Sequence, residues 1–151
     1  MIVGFSTGKT PLASAIRYLT NSRISHVYVR LPVPEFNTSI VFQAAKFNTH
    51  YVNYSRFTEN AHVIDEIDVS LTPEQERYAE GMRVSECGKP YGYQELIGYI
   101  WVLIGRKFGK KWKNPLYTGE AYVCVELVCK MLGIEDGATM TPQDLYELLK
   151  D

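Results

Sequence analysis

The sequence predicts an α+β fold, an antiparallel sheet packed against helices, and three observations carry that reading. Up to Val69 the chain holds short runs rich in β-branched and aromatic residues, broken by Pro and Asn, the pattern of strands and turns. Beyond Val69, Thr-Pro pairs at Thr72-Pro73 and Thr141-Pro142 open segments with helical spacing of apolar residues. No repeat, low-complexity tract or long linker divides the 151 residues, so 1–151 reads as a single domain.

In order, Ile2 to Phe5 is a short apolar run, and Thr10-Pro11 starts a helix through Leu12, Ala15, Ile16 and Leu19 that ends near Asn21. Between them, Gly4 to Thr10 resembles a phosphate loop. Its spacing is one residue short, and no alternating parallel units follow, so the sequence reads against a nucleotide site. Ser25 to Leu31 and Ile40 to Ala45 read as two strands joined through a turn containing Pro32 and Pro34. With Pro34 and Glu35 at the tip of that hairpin, His26 lies directly opposite Gln43 on one face. Phe47 to Phe57 and His62 to Val69 add further strand-like segments, for a sheet of four to five strands.

Thr72-Pro73-Glu74-Gln75 has the form of a capping box, and its helix runs to about Cys87-Gly88, covering the sheet. After a turn at Gly88 to Tyr93, Leu96 to Ile104 form a helix apolar nearly all round, the pattern of a buried helix. A basic loop follows, Arg106, Lys107, Lys110, Lys111 and Lys113 with Phe108 and Trp112 interleaved. It is either a solvated loop or a grip for phosphates, an anionic glycan or a membrane surface. Tyr122 to Gly133 is a short amphipathic helix, and Thr141-Pro142 opens a last packing helix through Leu145, Leu148 and Leu149.

Composition narrows the function classes. Formal net charge is −1, so no global field recruits nucleic acid or an anionic membrane. Three cysteines, Cys87, Cys124 and Cys129, give neither a disulfide framework nor zinc-site spacing, and reduced thiols are expected. No cofactor or metal is called for. The longest apolar run, Ile100 to Ile104, falls short of the roughly 18 residues of a membrane span. The opening residues lack the form of a signal peptide, so a cytoplasmic protein is expected.

Cys124 is the residue around which the chemistry gathers. A thiol in the first turn of a helix meets backbone N–H groups and the positive end of the helix dipole, which favour thiolate. A base that titrates near neutrality must come from His26, His50 or His62, all far upstream, so the fold has to assemble the pair. Gln43 opposite His26 supplies a carbonyl to accept one ring N–H and fix the tautomer. The plainer alternative is a strand-start histidine satisfied by a buried amide. His62 reads as an edge-strand residue, and His50 stays a lesser alternative for the polar partner.

The order His26, Gln43, Tyr91, Cys124 resembles the circularly permuted NlpC/P60 superfamily, a papain-like group of bacterial and phage proteins of the YiiX/YebB kind. The segments carrying the resemblance are Thr20 to Val27, Val41 to Ala44, Gly88 to Tyr91, Tyr122 to Val128 and Thr141 to Leu145. It implies Cys124 as nucleophile, His26 as general base, Gln43 as the residue orienting the histidine, and Tyr91 as a hydroxyl near the developing oxyanion. Two positions depart from the pattern: Gln43 stands where Glu is common, and Val125 where Ser is common. Glu126 also matches the family and reads as structural. The resemblance implies a cysteine peptidase or amidase acting on a peptide-like amide, in a cell-wall (peptidoglycan-like) peptide or an isopeptide conjugate. The rivals are a lipid-directed acyltransferase or thioesterase of the lecithin:retinol acyltransferase-like group, docking on membrane through Arg106–Lys113, and a non-catalytic binding module. Substrate identity and oligomeric state are not set by the sequence.

Overall fold

The computed structural model describes residues 1–151. Five strands form one antiparallel sheet: β1 (Ile2–Thr7), β2 (His26–Val33), β3 (Thr38–Ala45), β4 (Asn48–Asn53) and β5 (His62–Asp68), in the spatial order β4-β3-β2-β1-β5. The apolar run at the N-terminus is therefore an interior strand, more than the sequence suggested. Val3 and Phe5 are fully buried on one face of β1. On its other face Gly4 lies opposite Tyr28, whose ring occupies the space a side chain at position 4 would need.

The hairpin between β2 and β3 corrects the expected register. The 3₁₀ turn Pro34–Phe36, closed by Asn37 in the left-handed region (φ 47°), is longer than a two-residue tip. The observed pairs run from Val29 with Phe42 to Val33 with Thr38, two residues away from the expectation. An even displacement preserves the side-chain face, so His26 and Gln43 stay on the same side as diagonal rather than direct neighbours. The segment expected as strand through Phe57 is also different. Asn53 accepts from the Ser55 backbone N–H at 2.9 Å and starts helix α2 (Tyr54–Asn60).

α2 alters the layering: helices lie on both faces of the sheet, not on one. On the first face Tyr28, Val41 and Phe57 pack together, with the Tyr28 and Phe57 rings 4.4 Å apart. The main core lies on the second face, where Val3, Phe5, Val27, Val29, Phe42 and Ala44 meet the helix α5 (Cys124–Leu132). Leu127, Val128, Cys129 and Met131 are almost entirely buried there; a fully buried Leu stabilises by about 1.5–3 kcal/mol. Gly133 closes α5 at φ 72°, the left-handed cap that the sequence pattern marks.

The remaining helices pack around α5 and against one another. α3 (Pro73–Glu86) carries the predicted capping box but packs mainly on α5, with Ala79 as its one buried residue. Cys87 at its end is exposed and not part of the core. α4 (Tyr93–Lys107) is less buried than its composition suggests. Leu96, Tyr99, Val102 and Leu103 meet Ile16 of α1 (Pro11–Thr20), while Ile97 and Trp101 stay 61% and 51% exposed. Trp101 stacks on Trp112 at 4.5 Å, which folds the basic loop back onto α4. α6 (Pro142–Lys150) has its own capping box between Thr141 and Asp144 and adds Leu145 to the core. No helix is long and apolar enough to cross a membrane.

Candidate active site

The ladder between β2 and β3 starts at Val29 and Phe42, so the stretch of β2 from His26 to Tyr28 is not paired with β3. Gln43 to Ala45 pair with β4 alone. The sheet is therefore split at this end, and polar side chains bridge the seam. His26 Nε2–H donates to Gln43 Oε1 at 2.8 Å. Gln43 Nε2–H donates to His50 Nε2 at 3.2 Å, and His50 Nδ1–H donates to the Asn48 carbonyl at 3.0 Å.

This chain of bonds determines the tautomers. With His50 Nδ1 committed as donor to a carbonyl, its Nε2 accepts from the amide, so the amide oxygen faces His26. His26 then carries its proton on Nε2, and its Nδ1 keeps a free lone pair. Gln43 is buried and His26 half-buried. Burial pushes the His26 pKa below its ordinary 6.5, and the Gln43 bond pulls the other way.

His50 is thus the outer member of the network, bonded to Gln43, where the sequence offers it only as a lesser alternative to Gln43. The signal was present in the tight β3–β4 hairpin. Ala45 pairs with Asn48, leaving only Lys46 and Phe47 in the turn, and counting outward sets Gln43 directly against His50. His62 begins β5 at the sheet edge, as expected.

Cys124 is the first residue of α5, after Val123, which has an extended backbone. The thiol lies beside the backbone N–H groups of Val27, Val125 and Cys124 itself. Burial pushes its pKa up, and those three N–H groups pull against the shift without reversing it. The resting form is therefore a neutral thiol, in contrast to the thiolate that a first-turn position alone favours. Cys129, fully buried one turn on, is pushed up to about 12, chiefly by burial.

Tyr91 reaches Cys124 through the backbone. Its N–H bonds the Phe47 carbonyl at 2.9 Å, and it bridges in parallel with Tyr122. The segment thus acts as a short extra strand between β4 and the start of α5. Burial raises the Tyr91 phenol pKa well above 10, and a negative charge on Cys124 raises it further, so the hydroxyl stays protonated and able to donate. The four expected residues therefore come together as two pairs, His26 with Gln43 and Tyr91 with Cys124. The sulfur touches the residue next to His26, and no hydrogen bond joins it to the imidazole; His26 lies on the α2 face, its ring 6.4 Å from that of Phe57.

A second network supports the wall beside α5. Glu126, buried in the helix's first turn, accepts from the Tyr117 hydroxyl at 2.9 Å and pairs with Lys130 at 3.2 Å. Glu95, equally buried, accepts from Thr118 N–H, Thr118 Oγ1 and Gly119 N–H at 3.0, 2.6 and 3.0 Å. Glu126 is structural, as its sequence position indicated. Two cations expected in the basic loop, Arg106 and Lys107, instead end α4, where Arg106 is committed to Asp144 and the Thr139 carbonyl and Lys107 lies over the Tyr18 ring.

No family model matches the chain, and no curated protein matches it. Among solved structures, it is similar to metalloprotein yiiX from Escherichia coli O157:H7, at 15% identity and a TM-score of 0.55, over 97% of this chain and 90% of that one. No group of three or more His, Cys, Asp or Glu side chains comes together here, so the residues present do not fit a metal centre. The likeness is one of fold: the α+β arrangement of this chain, a five-stranded antiparallel sheet with helices, superposes on that structure over nearly its whole length.

Proposed function

We propose that this chain is a thiol hydrolase, a cysteine peptidase or amidase of the permuted NlpC/P60 type acting on a peptide-like amide of a cell-wall or isopeptide kind. The observation that carries the reading is the His26–Gln43 bond at 2.8 Å, which leaves Nδ1 of His26 free as a base one residue along β2 from the Val27 N–H that the Cys124 thiol meets. With the thiol raised and the imidazole lowered, the pair rests neutral and the proton moves during attack. His26 faces α2 and Cys124 packs against the opposite face, so the reading requires the imidazole to turn through the open end of the β2–β3 seam toward the sulfur before attack.

Each step balances. Sγ bonds the acyl carbon while its proton passes to His26 Nδ1, and the carbonyl electron pair moves to oxygen. The Cys124 N–H and the Tyr91 hydroxyl hold that oxyanion. The C–N bond breaks as His26 returns the proton to the leaving amine. Water then adds to the thioester, giving its proton to Nδ1, and the C–S bond breaks to restore the thiol.

The test is mass spectrometry of the protein after brief exposure to p-nitrophenyl acetate. An acetyl group on Cys124 that turns over in wild type and persists in His26→Ala supports the reading. Acetylation confined to exposed Cys87 refutes it and leaves a binding module. A second reading, acyl transfer at a membrane, is favoured by Ile97, Trp101 and Phe108, exposed at 61%, 51% and 73% beside the basic loop. Vesicle binding that falls with salt and is lost in Trp101→Gln supports it.

A further inference from the structure

The same end of the sheet bears a cavity of about 1460 Å³, larger than the roughly 300–1,000 Å³ of small-molecule pockets. Its walls are the β1–α1 loop, the loop before β2, the β3–β4 turn, and the junction of α2 with β5. None of His26, Gln43, Tyr91 and Cys124 lines it, and its link to them runs through their neighbours in the chain. Ser25, next to His26, bonds Thr7 Oγ1 at 3.2 Å and receives the Gly8 N–H at 3.4 Å, tying one wall to the start of β2. Lys46 on another wall is three residues from Gln43.

The charge of this groove opposes that of the molecule. Lys9, Arg17, Arg23 and Lys46 line it against the single carboxylate of Glu59, in a chain whose net charge is −1. None of the four cations has an acidic partner, whereas the ion pairs of the protein form elsewhere. Arg17 is held in place by neutral groups: Nη1 bonds Thr7 Oγ1 and the Gly8 carbonyl (2.7 Å), and Nη2 bonds Ser14 Oγ (2.9 Å). Its orientation is fixed and its charge left uncompensated. Lys46 takes φ 57°, a left-handed backbone that Gly or Asn adopts more cheaply, so a cation is kept at the rim at some cost. Only four of the sixteen lining residues are hydrophobic, which gives an acyl chain little to bury against.

We propose that this groove binds the substrate's flanking chain and that the chain is an acidic, carboxylate-bearing peptide. This rests on the hydrolase reading above and adds the charge and position of what is recognised. Cations and hydroxyl groups converging on one groove raise the local potential for anions and form charge-assisted hydrogen bonds with carboxylates.

The experiment measures binding of a short fluorescent Glu-rich peptide, and of its Gln counterpart, to the full chain carrying Cys124→Ala. The Glu peptide is expected to bind and the Gln peptide much more weakly. Binding should be lost toward about 1 M salt, where the screening length is about 3 Å. The triple variant Lys9→Gln, Arg23→Gln, Lys46→Gln, all exposed positions, should weaken it about tenfold or more, while Lys111→Gln and Lys113→Gln leave it unchanged. Equal binding of the two peptides, or no effect of the triple variant, overturns the proposal. Groove-dependent binding of phosphatidylglycerol vesicles without peptide binding also overturns it, in favour of a lipid occupant. Because the assay needs no turnover, failure of Cys124 acetylation refutes the hydrolase reading separately.

Discussion

Replacing Gln43 with Leu tests the link between tautomer and chemistry. The side chain is 8% exposed and makes two bonds, accepting from His26 Nε2 at 2.8 Å and donating to His50 Nε2 at 3.2 Å. Leu is similar in volume but offers neither. The half-buried Nε2–H of His26 then lacks its acceptor, at about 1–3 kcal/mol, and nothing favours the tautomer with Nδ1 free. At about 1.4 kcal/mol per decade, the loss in kcat is about 5- to 150-fold, with KM little changed because Gln43 does not reach the reacting carbonyl. The outer link gives a graded comparison. His50→Leu removes one neutral acceptor, worth about 1 kcal/mol or about fivefold, whereas His50→Gln restores an acceptor and most of the rate. The assay is steady-state hydrolysis of the p-nitrophenyl ester, with circular dichroism melts to confirm folding. Wild-type kcat in folded Gln43→Leu would refute the assignment of Nδ1 as the base.

Because burial lowers the folded pKa of His26 below its unfolded 6.5, the folded state binds fewer protons in that window. The corresponding stability is complete above pH 6.5 and declines as pH falls through the folded value, a slope that urea titrations should find reduced in His26→Gln. Gly4→Ala would place Cβ 2.1 Å from Tyr28 Cζ, in a fully buried ring whose hydroxyl is bonded to Glu66. Overpacking there should cost about 1–3 kcal/mol, at about 2–4 °C of Tm per kcal/mol, and an unchanged melting temperature contradicts that packing. Glu95→Ala leaves three donors of the Thr118–Gly119 turn without their acceptor, so hydrogen exchange across 114–119 should accelerate by about tenfold or more while the sheet stays protected.

Local signals were read correctly where neighbours in sequence decide the outcome. The capping boxes at Thr72 and Thr141, the Thr10 cap and the Gly133 stop all depend on side chains within a few residues of the backbone they satisfy. The alternation in β2 and β3 set the faces, and the face survived a two-residue register shift because strand periodicity is two. The local placements of the four candidate residues were legible: a cysteine opening a helix, a histidine opening a strand, an amide on the same sheet face and a tyrosine in a turn.

What the sequence determined by itself is therefore the α+β class, the helix boundaries with caps, and the shared face of His26 and Gln43. Tertiary structure decided the rest. It split the sheet between His26 and Gln43, added His50 to the network, laid α2 over the face opposite α5, and made Ile2–Thr7 an interior strand. It also turned the expected thiolate at Cys124 into a buried neutral thiol. Capping and alternation act through bonds between near neighbours, which a sequence displays directly. Burial, strand order and the polarity around a sulfur depend on groups far apart in the chain, whose distances exist only once the chain has closed on itself.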